Sequence, residues 1–207
     1  AYQYLKADSV RSSYFGMPDD TAKVNRMNNQ AAMIMNVEPI IAKLLLQDAR
    51  AVAEKINYKY GISVSLGTES RLLFYQVKFD SGKLLLDKAY NLLEKENDKN
   101  AVIQKATLIH TYANIYHQKQ EYDSALIKYQ KAISLFTSVN EKNKIFFSYY
   151  NISGIYHLLG DTAKAMYYAK ELMQMAEASS DINYKMRSLI AYAEAFEGKK
   201  QYDSVYK

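Results

Sequence analysis

The chain of 207 residues contains no cysteine, two prolines and seven glycines. The absence of cysteine excludes disulfides, thiolate metal ligands and a cysteine nucleophile, although it fits reducing and oxidising compartments equally well. The scarcity of glycine and proline argues against a β-rich fold with many turns. No apolar run reaches the roughly 20 residues that a membrane-spanning helix needs.

Concentrated charge is also missing, because 27 basic and 22 acidic residues are scattered along the chain and give a net charge of +5. Nucleic-acid binding favours a basic stripe, so we expect a mixed, solvated surface and no nucleic-acid partner for this segment. Tyrosine is abundant instead, with 20 residues. Its ring packs while its hydroxyl reaches water, so many of these tyrosines suit a helical core, and the surplus can serve recognition.

The sequence repeats itself with a period of 40 residues. Small side chains let two helices cross closely, and a ring fills the space beside the crossing. A fixed period in this range is typical of stacked helical hairpins, which place function on a long shared surface. In each repeat a ring follows the first small residue by three positions and a second small residue follows by twelve, as in Ala113, Tyr116, Ala125; Ser153, Tyr156, Ala165; and Ala193, Phe196, Val205.

Helical spacing continues beyond the second small residue, as in Ala125, Tyr129 and Ala132. Short polar links, Gln120-Glu121 and Gly160-Asp161, suit antiparallel hairpins. These residues resemble the tetratricopeptide repeat (TPR), in a variant with about 40 residues per unit. The resemblance implies an all-α fold, a right-handed α-α superhelix of antiparallel helix pairs.

The resemblance extends towards the start of the chain. The first helices of the two earlier units are less regular, with Gln30 and Ser70 at the small position and Leu73 at the ring position. Three extra residues are assigned to the polar run from Lys95 to Asn100. The second-helix positions of these units are matched by Ala42, Leu46 and Ala49, and by Phe79, Gly82, Leu86 and Ala89.

We therefore predict a lead-in segment over residues 1–21 and a TPR-like domain over residues 22–207. Tyr202 is expected to start a second helix and to lie uncovered with Val205 and Tyr206, so we expect a fragment of a longer polypeptide. Pro39 is expected in the first turn of a helix, where its missing N–H is tolerated. The predicted units cover residues 22–60, 61–100, 101–140, 141–180 and, truncated, 181–207.

The start of the chain carries a second resemblance. Asp8-Ser9-Val10, Pro18-Asp19-Asp20-Thr21 and Asn36-Val37-Glu38-Pro39 are similar to the start of the sensory region in bacterial TPR-containing histidine kinases and related membrane-bound regulators. This resemblance implies a sensory or interaction region of a larger bacterial signalling protein. It implies a periplasmic or envelope-associated location, with a cytoplasmic one as the alternative. The parent protein would be membrane-anchored, without membrane contact by this segment.

In TPR arrays the first helix of each unit lines the concave groove, so candidate ligand residues follow from their offset to the crossing residue. All three histidines fall on this surface, which raises the hypothesis of a metal site. First helices lie about 10 Å apart, whereas Zn–N bonds are near 2 Å, so we expect polar groove lining and neither a metal nor another cofactor. The groove candidates are Thr107, His110, Asn114, His117, Gln118, Phe147, Tyr150, Gly154, His157, Leu158, Arg187, Ile190, Glu194 and Glu197.

The pattern favours a non-catalytic module that binds a protein or peptide in this groove. Aromatic contacts are expected from Phe147 and Tyr150, and polar clamps from Asn114, His117 and His157. The alternative is a structural scaffold or dimerisation spacer in an envelope-associated assembly, with a homodimer as one form.

We do not expect an enzyme. The sequence contains no GxSxG, P-loop or HExxH motif. Glu194 and Glu197 share one helix face and could act as acid and base, but charged residues on a helix face are ordinarily solvated surface.

Overall fold

The computed structural model describes the backbone of residues 2–205 and the side chains of residues 7–197. Every regular element within that part of the chain is an α-helix, which confirms the predicted all-α fold class. The chain folds as two compact units that divide between Tyr112 and Ala113. The helices of residues 2–205 are α1 (Tyr2–Ser12), α2 (Thr21–Ile34), α3 (Pro39–Lys55), α4 (Lys59–Tyr75), α5 (Phe79–Leu92), α6 (Lys99–Gln118), α7 (Tyr122–Ser138), α8 (Lys142–Leu158), α9 (Thr162–Glu177) and α10 (Ile182–Val205).

One type of link recurs along the chain. It joins α3 to α4, α4 to α5, α6 to α7, α7 to α8 and α8 to α9, and its central residue has a φ between 56° and 75°. Such a left-handed residue ends a helix and lets the following amide bond back to the last turn, as Asp161 N does to Tyr156 O at 2.9 Å. Short links make the joined helices antiparallel, as predicted. The central residues are Asn57, Val77, Gln120, Asn140 and Gly160.

The starts of two helices and one longer link also follow the sequence. Pro39 is the first residue of α3, as predicted. The side chain of Asp20 caps α2 by accepting a hydrogen bond from Lys23 N at 2.8 Å. The link between α5 and α6 covers residues 93–98 and is three residues longer than the recurring link, which confirms the insertion predicted there.

In the first unit, the small residues of α3 are buried at helix crossings. Ala42 and Ala49 have no exposed surface, as the repeat predicts for a second helix. Within the predicted lead-in segment, α1 packs against α3. Ala7 is buried there, and Arg11 forms two hydrogen bonds with Asp48, at 2.5 and 2.9 Å. The lead-in segment therefore contributes to the core of this unit.

The crossing of α4 and α5 depends on a glycine. A Cβ atom at Gly82 would lie 2.4 Å from the ring of Phe74, so only glycine fits here without a shift. The ring beside this crossing is Phe74, one residue after the predicted position, Leu73. The carbonyl of Leu73 instead accepts a hydrogen bond from Lys78 N at 2.9 Å and closes the end of α4.

In the second unit, the predicted crossings at Ala113 and Ser153 are confirmed. Ala113 and Ala125 are buried in one cluster. Ser153 Oγ donates to Ala165 O at 3.1 Å, so α8 lies directly against the backbone of α9. The small residues thus let the two backbones of each pair approach.

The crossing predicted at Ala193 is wrong. Ala193 is exposed and Phe196 is 46% exposed, whereas Ala191 and Ala195 are buried. Within the described residues no helix follows α10 to cover the predicted face. Contacts with α8 and α9 alone therefore decide which of its side chains are buried.

The prediction that Tyr202 starts a new helix is also wrong, since α10 continues through Val205. The run from Lys199 to Gln201 consists of good helix formers, so local propensity extends the helix. The side chains of Tyr202 and Val205, and the whole of Tyr206, lie outside the described residues, so their predicted exposure stays a prediction.

Candidate functional site

A cavity of about 250 Å³ lies between α6, α8 and α10 in the second unit. The last turn of α6, the C-terminal half of α8 and one carboxylate of α10 surround it. We call it the α6–α8–α10 cavity, and its lining residues are His117, Tyr150, Asn151, Gly154, His157, Leu158 and Glu194.

Helical spacing explains why these side chains meet. Tyr150, Gly154, His157 and Leu158 recur every three to four residues and share one face of α8. All four are groove candidates from the sequence, as are the lining residues on α6 and α10. Asn151 is the lining residue that the offset rule missed, although it lies three residues before Gly154 and the same spacing places it on this face.

The two histidines of the cavity occupy equivalent places, in the last turns of α6 and α8. The His117 ring meets Tyr122 edge-on, with centroids 6.0 Å apart. Burial lowers the pKa of His117 below its ordinary value of 6.5, so its imidazole is neutral at pH 7. A neutral imidazole has one N–H donor and one nitrogen acceptor for a ligand.

We expect the second unit to lose stability as the pH falls below 6.5, the ordinary pKa of histidine. Between that value and the lowered pKa of folded His117, the unfolded chain binds a proton that the folded chain does not, so acid favours unfolding. Urea unfolding at pH 7.5 and pH 5.5 measures this effect. In His117→Gln the stability lost on acidification should be smaller than in the wild type. An equal loss in both proteins would contradict the assignment.

Gly154 differs from three other helical glycines, which lie close against neighbouring side chains. A Cβ atom at Gly61, Gly67 or Gly82 would meet a neighbouring side chain at 2.5, 2.7 or 2.4 Å, whereas nothing lies within 4 Å of one at Gly154. Glycine inside a helix costs about 0.5–1 kcal/mol relative to alanine. Gly154 imposes this cost on α8 without a packing need, and its missing side chain leaves the cavity open.

Asn114 is placed differently from its predicted role as a clamp. Its Oδ1 accepts hydrogen bonds from Tyr129 Oη at 2.6 Å and from Asn151 Nδ2 at 3.2 Å. Tyr129 is fully buried, and burial raises the pKa of its hydroxyl. Both lone pairs of this carbonyl oxygen are engaged, so Asn114 links α6, α7 and α8. Asn114 is not one of the residues that line the cavity.

A cationic and aromatic cluster adjoins the cavity through Tyr150. The guanidinium carbon of Arg187 lies 5.4 Å from the ring centroid of Tyr150 and 5.8 Å from that of Phe147. Phe147 is 39% exposed, and its ring also meets Tyr184 edge-on at 5.7 Å. The cluster presents aromatic surface beside the cavity, and two of its rings belong to the aromatic groove candidates, Phe147 and Tyr150.

The remaining groove candidates do not line this cavity. Thr107 and His110 belong to the first unit, where Thr107 Oγ1 donates to Ile103 O at 2.8 Å. Gln118 and Glu197 are exposed and lie outside the lining of the cavity. Among the residues that the structure describes, no group of three or more histidine, aspartate or glutamate side chains could hold a metal ion.

A second cavity, of about 530 Å³, lies between α8, α9 and the start of α10. No pattern in the sequence indicates this cavity, because helix ends and a link form it and not a repeated helix face. Burial raises the pKa of Tyr149, which belongs to its lining. We call it the α8–α9 cavity, and it is lined by Lys142, Asn143, Ile145, Tyr149, Glu171, Gln174, Met175, Ala178, Ser179 and Tyr184.

Part of the second unit is similar to a known protein family. Residues 104–178 match the tetratricopeptide repeat family. With the helical hairpins described above, this match confirms the predicted TPR-like fold class. The matched segment covers most of α6 and all of α7, α8 and α9.

The chain is also 35% identical over 130 residues to the signal recognition particle receptor FtsY of Aquifex aeolicus. The aligned region is 63% of this chain and 23% of that protein. Because so small a share of the receptor is matched, the similarity gives no function to the TPR segment. Within residues 2–205, no helix combines the length and apolarity needed to cross a bilayer.

Proposed function

We propose that the second unit is a non-catalytic module that binds a peptide or an extended protein segment across the α6–α8–α10 cavity. TPR segments mediate protein–protein interactions, and residues 104–178 match this family. The cavity offers Tyr150 and Leu158 for apolar contact, and His117 and His157 for hydrogen bonds. Such a mixture of apolar surface with a few convergent polar groups is typical of ligand sites.

The open space around Gly154 is the observation that supports this proposal most. Alanine at this position would strengthen α8 and meet no neighbour, so packing and helix propensity do not explain the glycine. An open cavity wall does explain it, because a larger side chain at this position would occupy the space that a ligand needs.

Gly154→Leu is expected to weaken peptide binding by about 10- to 100-fold, the effect of losing the burial of one apolar side chain. The added side chain would project from the cavity wall, and its Cβ would meet no atom within 4 Å. A randomised peptide library displayed on phage is first selected on the immobilised chain. The enriched peptides are then synthesised and titrated against both proteins by calorimetry.

The matched control is Ala163→Leu, which adds the same side chain at an exposed position of α9. Its peptide affinity should equal that of the wild type, and both variants should retain helical circular dichroism. The proposal is wrong if no peptide is enriched over the empty matrix, or if Gly154→Leu binds as the wild type does.

We further propose that the module is the sensory or interaction region of a larger bacterial signalling protein, periplasmic or envelope-associated. The support is the resemblance of Asp8-Ser9-Val10 and Pro18-Asp19-Asp20-Thr21 to such regions. Ligand occupancy would bias the packing of the helices and so act on an output domain. Protease treatment of intact spheroplasts that contain the parent protein tests the location. Cleavage within this region is expected for a periplasmic or envelope-associated module, whereas protection would favour the cytoplasmic alternative.

One observation favours the alternative function, a scaffold or dimerisation element. Exposed apolar side chains follow one face of α10 at spacings of three, four and seven residues, and contiguous apolar faces of this kind often mark protein interfaces. Light scattering over a wide concentration range decides between the two functions. A concentration-dependent dimer without enriched peptides would favour assembly through this apolar stripe, which consists of Ile182, Met186, Leu189, Ile190 and Phe196.

A further inference from the structure

We propose that the α6–α8–α10 cavity is a side-chain pocket for a lysine or arginine of the bound peptide, with the Glu194 carboxylate as its counter-ion. This inference rests on the proposed function and adds the chemistry of the ligand. Three observations carry it: the charge of the lining, the aromatic wall, and the absence of an ion pair between Arg187 and Glu194 among the described side chains.

Glu194 supplies the negative charge of the lining. Its side chain is half-buried, and none of the ion pairs among the described side chains engages it. His117 is neutral at pH 7, because burial lowers its pKa. A carboxylate in a partly enclosed site attracts a cation more strongly than it would in open water.

The aromatic wall suits the same ligand. Tyr150 lines the cavity, and its ring already lies 5.4 Å from the Arg187 guanidinium, a contact between a cation and an aromatic ring. Leu158 provides apolar surface for the methylene groups of a long basic side chain.

Arg187 contacts aromatic rings and not the Glu194 carboxylate, since its guanidinium lies against Tyr150 and Phe147 and no ion pair among the described side chains joins Arg187 to Glu194. Seven residues separate them, which is about 10 Å along a helix. Glu194 therefore stays available to a ligand cation.

Other ligand side chains fit the pocket less well. A carboxylate would face Glu194 across the cavity and be repelled. An apolar side chain would remove water from Glu194 without providing a partner, which is unfavourable for a charged group. A basic side chain both replaces the lost water and pairs the charge.

The test uses peptides enriched from the same randomised library, each with its basic residue and with an uncharged isostere, norleucine for lysine or citrulline for arginine. On the wild type, we expect the uncharged peptide to bind about tenfold more weakly or worse. On Glu194→Gln, the difference in affinity between the two peptides should shrink severalfold, because only the contact with the Tyr150 ring still favours the charged side chain. Glu197→Gln is the matched control, since Glu197 is exposed on the same helix outside the lining, and it should discriminate as the wild type does.

The possible results distinguish a failure of this inference from a failure of the proposed function on which it rests. If no peptide is enriched, the proposed function is wrong and the pocket assignment falls with it. If enriched peptides lose affinity for Gly154→Leu but share no basic position, the proposed function stands and the pocket assignment is overturned. Equal discrimination by Glu194→Gln and the wild type would also overturn it.

Discussion

Phe146→Ala is expected to lower the free energy of unfolding of the second unit by about 3–5 kcal/mol, the usual cost of removing a fully buried phenylalanine ring. Phe146 has no exposed surface and lies in the cluster that joins α8, α9 and α10. Its ring stacks on Tyr184 with centroids 4.2 Å apart and an angle of 5° between the planes. Urea unfolding followed by circular dichroism measures the loss.

The adjacent Phe147 provides the matched control. It lies on the same helix but is 39% exposed, so Phe147→Ala removes the same ring from a site that water already reaches. We expect this variant to lose less than half as much stability. Equal losses would mean that Phe146 is not the core residue that holds these helices together.

Gly82→Ala is expected to destabilise the first unit by about 1–3 kcal/mol, the usual cost of overpacking a core. The new Cβ would lie 2.4 Å from the ring of Phe74, and three atoms of that ring lie within 3 Å of it. The ring is buried, so it cannot move into solvent to relieve the contact. The midpoint of urea unfolding measures the change.

Gly154→Ala is the control for this prediction and should have the opposite sign. It meets no neighbour, so the higher helix propensity of alanine should stabilise the second unit by about 0.5–1 kcal/mol. Two effects of the same sign would contradict the distinction between a glycine required by packing and one that keeps a cavity open.

The sequence predicted the helical hairpins well because their determinants are local. The small residues at Ala113 and Ser153 mark crossings, and the polar links at Gln120 and Gly160 adopt the left-handed conformation that ends a helix. Each of these signals depends on residues within one hairpin. The same pattern failed at Ala193, because burial there depends on which helix covers α10, and a period cannot specify this.

The candidate site was predictable where it depends on helical spacing. Offsets from the crossing residue placed His117, His157 and Glu194 on one surface, and all three line the cavity. The roles of Asn114 and Asn151 were not predictable, because two asparagines on neighbouring helices can each face inwards or towards the ligand. Their hydrogen bond, which fixes Asn114 inside and Asn151 in the lining, depends on how the helices pack.

A map of the peptide contacts on the chain tests most directly whether the peptide binds at the α6–α8–α10 cavity. Nuclear magnetic resonance spectra of the ¹⁵N-labelled chain, titrated with the tightest peptide from the library, report the amides that respond to binding. We predict the largest shifts at Asn151, Gly154 and His157 of α8 and at Glu194 of α10. Largest shifts along α9, or on the apolar stripe of α10, with these amides unchanged, would contradict this prediction.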